Sequence, residues 1–106
     1  MKVTLETLEL TASELKITQQ LLKRYLPNTC VWAYGSRVRG HARPASDLDL
    51  VAFVGEEQSV AISELREAFE ESNLPFRVDL FCWDQIPDSF KETIKGQYVV
   101  IQHHSG

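Results

Sequence analysis

Three aspartates and one Gly-Ser turn carry the chemistry this sequence can offer. Gly35-Ser36 is followed, after ten residues, by Asp47-Leu48-Asp49, and a further acid, Asp79, stands in a later apolar run. Side chains of a strand alternate faces, so Asp47 and Asp49 point one way while Leu48 and Leu50 point into a core. The rise of a strand sets the two aspartate Cα atoms roughly 6–7 Å apart. Both can be ionised at neutral pH when a divalent cation bridges them, and hard cations such as Mg²⁺ prefer carboxylate oxygen. Gly35 can take a backbone conformation that a Cβ disfavours, and it lets a ligand come close. Ser36 suits the N-cap of a short helical turn through Arg37, Val38 and Arg39. Exposed N–H groups at such a turn, with Arg37, Arg39 and Arg43 beside it, make an anion site where a phosphate would sit. A polyphosphate there would bring its own oxygens to the cation held by the aspartates.

These residues need rigid elements behind them. The β-branched and aromatic run before Gly35 predicts a strand over Cys30–Tyr34, and a second strand over Asp47–Val54 opens with the two acids. A third, Phe76–Phe81, puts Val78 and Leu80 on one face with Cys82, and Arg77, Asp79 and Phe81 on the other. Thr11-Ala12-Ser13-Glu14 reads as a capping box, starting a helix that runs to about Tyr25 before Pro27. A second helix fits Ser59–Glu71, burying Ile62, Leu65 and Phe69. Asp88-Ser89 caps a short helix over Phe90–Lys95, closed by Gly96. Tyr98-Val99-Val100-Ile101 is a strand or a core-anchoring tail. Residues 1–10 read as an arm. Strands alternating with helices make an α+β (mixed α/β) domain, and three strands leave one face open or covered by something else.

At 106 residues with 43% apolar content, the chain reads as one domain over residues 1–106. Its net charge of −4 argues against a broad nucleic-acid-binding face. The arginine cluster is the exception, sized for a nucleotide rather than a duplex. No apolar run approaches the roughly 18–20 residues of a membrane span, and no signal peptide is visible. Cys30 and Cys82 lack a CxxC spacing and read as buried free thiols of a cytoplasmic protein.

Gly35-Ser36-Arg37-x-Arg39-Gly40, then Ser46-Asp47-Leu48-Asp49-Leu50, with Asp79 alone on a later strand, resembles the signature of the polymerase-β nucleotidyltransferase superfamily. Within it, the length and motif resemble the minimal nucleotidyltransferases (MNT), commonly paired with a helical HEPN protein as a toxin–antitoxin system. The resemblance spans nearly the whole chain. It implies a nucleotidyltransferase fold: a small mixed sheet with helices packed on one face. It implies that Gly35 and Ser36 hold the phosphates of ATP, and that Asp47, Asp49 and Asp79 are catalytic and ligate two Mg²⁺ ions. Asp79 would also accept the proton of the attacking hydroxyl. Arg37 and Arg39 as phosphate contacts follow from charge and position.

The leading expectation is therefore an enzyme that moves AMP from ATP to a hydroxyl, a tyrosine of a HEPN toxin, and so acts as an antitoxin. Larger relatives carry a second domain that binds the acceptor, and this chain has no room for one. Either the acceptor comes with a partner protein or the domain no longer catalyses, unless a second copy supplies the site. One alternative is a module that neutralises its partner by complex formation alone. Another is small-molecule transfer of the aminoglycoside type. Among the remaining residues, Ser46 caps or bridges the loop, His41 is solvent-exposed, and His103 and His104 are a solvated end. Trp32, Phe53, Phe76 and Trp83 read as core, with adenine stacking left open for Trp83.

Overall fold

A computed structural model of the chain describes residues 2–3, 8–40 and 42–104. The expectation for His41, and most of that for the N-terminal arm, lies outside the described residues. In chain order the elements are β1 (Lys2–Val3), α1 (Ala12–Tyr25), β2 (Val31–Tyr34), α2 (Ser36–Arg39), β3 (Leu48–Ala52), α3 (Ser59–Glu70), β4 (Val78–Cys82), α4 (Asp88–Gly96) and β5 (Tyr98–Gln102). The capping box forms as the residue types dictate: Thr11 Oγ1 accepts the Glu14 N–H at 3.1 Å, and Glu14 Oε1 accepts the Thr11 N–H at 2.9 Å.

The sheet order is β1-β5-β2-β3-β4. Strands β2 and β3 are antiparallel, β3 and β4 are parallel, and β5 lies antiparallel to β2, so the sheet is mixed. The apolar run near the C-terminus is thus a strand inside the sheet, with Val99 and Ile101 buried, rather than a tail. Helices α1 and α3 pack on one face. There Leu22, Leu26, Ile62, Leu65 and Phe69 meet the inward residues Val31, Ala33, Leu48, Leu50, Leu80 and Val99. Each leucine so buried stabilises the fold by about 1.5–3 kcal/mol.

The opposite face is the one that matters for chemistry. Tyr34 and Val51 point there and are covered by Ile86 and by Ile94 of α4. A cluster of Trp32, Phe53, Trp83 and Tyr98 continues that layer, with Trp32 and Tyr98 stacked at 3.8 Å between ring centroids. Helix α4 begins two residues earlier than the capping expectation. Pro87, with φ −59°, holds the chain just outside the helix, and no side chain caps it. Asp88 instead sits in the first turn, where the helix dipole favours a carboxylate, 3.8 Å from Lys91. Cys82 is buried, Cys30 is half-buried, and both are free thiols.

Candidate active site

Register does most of the positioning. Asp49 of β3 lies directly beside Tyr34 of β2 on one side and Asp79 of β4 on the other. Asp47 precedes β3 on the same face, so the structure brings the three aspartates to one side of the sheet. Gly35 follows Tyr34 with φ 87° and ψ −156°, and a Cβ built on it would run into Oδ2 of Asp49. That backbone region is essentially open to glycine alone. The strand end is therefore pressed against the central carboxylate because residue 35 has no side chain.

The turn after it differs in detail from the sequence expectation. Gly35, not Ser36, is the N-cap of α2, and its carbonyl accepts the N–H groups of Val38 and Arg39 at 3.0 and 3.1 Å. No side chain caps the turn, so the Ser36 hydroxyl is not spent there. Gly40, with φ 80°, closes it in the left-handed conformation. Arg39 lines a pocket of about 150 Å³ together with Tyr34, Gly35, Asp49, Phe90, Thr93 and Gln97.

Arg37 must be corrected. It is 5% exposed, and its guanidinium is turned into the loop that follows α2. Its Nη1 donates to Glu9 O at 2.8 Å, and its Nε and Nη2 donate to Ser46 O at 3.0 and 2.8 Å. Nη2 also reaches Pro44 O at 3.2 Å, and the guanidinium stacks 4.0 Å from the Phe76 ring. All three of its guanidinium nitrogens donate to main-chain carbonyls, so the group is committed to the loop rather than to a phosphate. Arg37 instead shapes the segment that delivers Asp47, helped by Ser46 Oγ, which accepts the Arg43 N–H at 2.8 Å. Arg37→Ala leaves several part-buried carbonyls without donors and a cavity where the guanidinium lay. It is expected to lower stability by about 2–4 kcal/mol, read from the urea unfolding midpoint.

Sequence reasoning passed over Arg77. Its Nε lies 3.1 Å from Asp79 Oδ1, and its Nη2 lies 3.3 Å from both Asp47 Oδ2 and Asp79 Oδ2. Alternation had placed Arg77 and Asp79 on one face, so the pairing was legible from spacing two. Phe90, Thr93 and Gln97 also escape sequence reasoning, since no local pattern in α4 says that it faces the acids. Trp83 is not among the residues lining the pocket; it packs with Trp32 and Phe53, beneath Lys91 and Lys95.

Electrostatics mark Asp49 as the strained member. Burial, then the charges of Asp79 and Asp47, push its carboxyl up to about 6 from 3.8, against the opposing pull of Arg39 and Arg77. Tyr34 is held above the ordinary phenol range by burial and by the same carboxylates, Asp49 and Asp79. No ready-made cluster of three metal-ligating side chains stands among the described residues, because Asp47 and Asp79 are turned onto Arg77. The donor set nonetheless suits a hard divalent cation: three carboxylates on one face, one of them resisting ionisation because it is buried beside two like charges. In the metal-free chain, Asp49 is expected to titrate near pH 6, measurable by carboxyl ¹³C shift. Its folded pKa lies above its unfolded one, so its ionisation costs stability as pH rises from about 4 to about 6.

A mixed sheet with a glycine turn against paired strand-borne acids defines a nucleotidyl-transfer scaffold, and the family comparison agrees. The family model described as "Polymerase beta, Nucleotidyltransferase" matches residues 16–105, and the chain belongs to this family. Within it the chain is of the MntA-like, minimal type. It is 46% identical over 97 residues to "Probable protein adenylyltransferase MntA" of Haemophilus influenzae (strain ATCC 51907 / DSM 11121 / KW20 / Rd), covering 90% of this chain and 84% of the relative. The fold is also shared with a solved structure described as "Crystal structure of the toxin-antitoxin with AMP-PNP". The TM-score is 0.66 at 19% identity, over 84% of this chain and 73% of that one. Among the described residues no helix is long and apolar enough to cross a membrane.

Proposed function

We infer that this chain transfers AMP from ATP to a hydroxyl of a protein partner, the α–β phosphoanhydride breaking and pyrophosphate leaving, and that the partner is a HEPN-type toxin modified on tyrosine, which makes the chain an antitoxin. The observation that carries the reading is the registered contact of Gly35, Asp49 and Asp79 on one face of the sheet. The relative named as a protein adenylyltransferase and the toxin–antitoxin neighbour holding an ATP analogue support it. Residues 1–106 act as one nucleotidyltransferase domain, with the acceptor surface supplied by the partner.

Asp47, Asp49 and Asp79 would hold two Mg²⁺ ions, which when bound neutralise the attacking and leaving oxygens of an in-line displacement. The chain's own residues do the rest by position. Gly35 and Ser36 seat the phosphates, and Arg39 supplies a charge beside them. Asp79 takes the proton of the attacking hydroxyl. The net charge of −4 argues against a broad nucleic-acid-binding face, so a protein acceptor fits better. Free Cys30 and Cys82 agree with a cytoplasmic setting.

The test is intact-mass analysis of the HEPN partner after incubation with ATP, Mg²⁺ and this chain. Added AMP units on a tyrosine are expected. A partner that is neutralised yet unmodified would leave complex formation as the whole activity.

A further inference from the structure

Arg37 and Arg77 are held in opposite ways. Arg37 is buried and bonded to main-chain carbonyls, so it cannot move without breaking the loop. Arg77 has a side chain that is 71% exposed, and among the described residues its guanidinium meets only Asp47 and Asp79. Its backbone is fixed, since its carbonyl accepts the Leu48 N–H at 2.9 Å. Only the side chain is free to swing.

We propose that Arg77 is a built-in counter-ion that occupies the cation position between Asp47 and Asp79 and leaves it when a divalent ion binds. The inference rests on the metal-assisted reading above and names a residue that regulates that site. Its Nε and Nη2 use the carboxylate oxygens that a hard cation would need, at 3.1–3.3 Å. A guanidinium and a divalent ion compete for those oxygens, because both approach the same carboxylate edges and their like charges repel. While the site lacks metal, Arg77 keeps two like-charged side chains together on adjacent strands and mutes their repulsion. The same grip makes metal binding a competition, so the bare ion binds more weakly than three carboxylates would otherwise allow.

The test uses Mn²⁺ alone, without nucleotide, on the full chain. Binding is followed by electron paramagnetic resonance or calorimetry in the wild type, Arg77→Gln and Arg77→Lys, with circular dichroism confirming the fold. Arg77→Gln is expected to bind Mn²⁺ about three- to tenfold more tightly, the scale of losing two exposed ion pairs. It should also melt earlier than wild type in chelator, a gap that closes at saturating Mn²⁺. Arg77→Lys keeps the charge and should stay near wild type. Equal or weaker Mn²⁺ binding by folded Arg77→Gln overturns the counter-ion role while leaving the metal reading intact. If folded wild type and variants all fail to bind Mn²⁺, the metal reading falls, and this proposal with it.

Discussion

Asp49→Ala is expected to lower AMP transfer to the partner by about 10³-fold or more while leaving the chain folded and no less stable. The two halves of that expectation have one cause. Asp49 is the central acid, beside Tyr34 and Asp79 in register and in contact with Gly35. Burial and the neighbouring charges make its ionised form unfavourable in the fold, which is why its carboxyl is pushed up to about 6. Removing it therefore relieves repulsion at neutral pH even as it removes the middle ligand of the proposed cation site. A residue kept at a stability disadvantage marks function rather than packing. Transfer of labelled AMP and the thermal midpoint, measured on the same preparation, separate the two effects. Wild-type transfer by Asp49→Ala would remove the site from consideration. A lower midpoint with lost transfer would mean that Asp49 is structural.

The scaffold was legible where one physical rule acted alone. Alternation along β3 and β4 put Leu48, Leu50, Leu80 and Cys82 inward and Asp49 and Asp79 outward, because a strand has no other way to place them. The capping box at Thr11 and the buried stripe Ile62, Leu65 and Phe69 were read for the same reason. The reading of Arg37 failed because charge near a glycine turn says nothing about direction. Only the path of residues 43–46 decides that the guanidinium faces their carbonyls. The role of α4 was hidden as well. Its packing against Tyr34 and Val51 depends on β5 entering the sheet beside β2, a long-range fact that no local pattern carries. The order of the strands was likewise set by tertiary contacts rather than by propensity.

Gly35→Ala should lose about 10²-fold or more in transfer, whereas Gly40→Ala, five residues on, should retain most of it. Both glycines have positive φ, so a rule about glycine alone would treat them alike. Gly40 sits at φ 80° and ψ 20°, a left-handed cap that other residues tolerate, with nothing within 4 Å of an added Cβ. Its substitution is expected to lower stability by about 1–2 kcal/mol through backbone strain only. Gly35 sits at φ 87° and ψ −156°, where essentially only glycine goes, and its added Cβ meets the Asp49 carboxylate. Alanine there must push Asp49 aside or tilt the turn that begins at Ser36, and either motion separates the proposed phosphate seat from the acids. A displacement of about 1 Å is enough to cost two orders of magnitude when catalysis is mostly positioning. The pair is read by transfer rate beside the urea midpoint. Equal activity in the two variants would show that close approach at residue 35 does not matter, while a loss confined to Gly35→Ala ties the reaction to the junction of β2, α2 and the central acid.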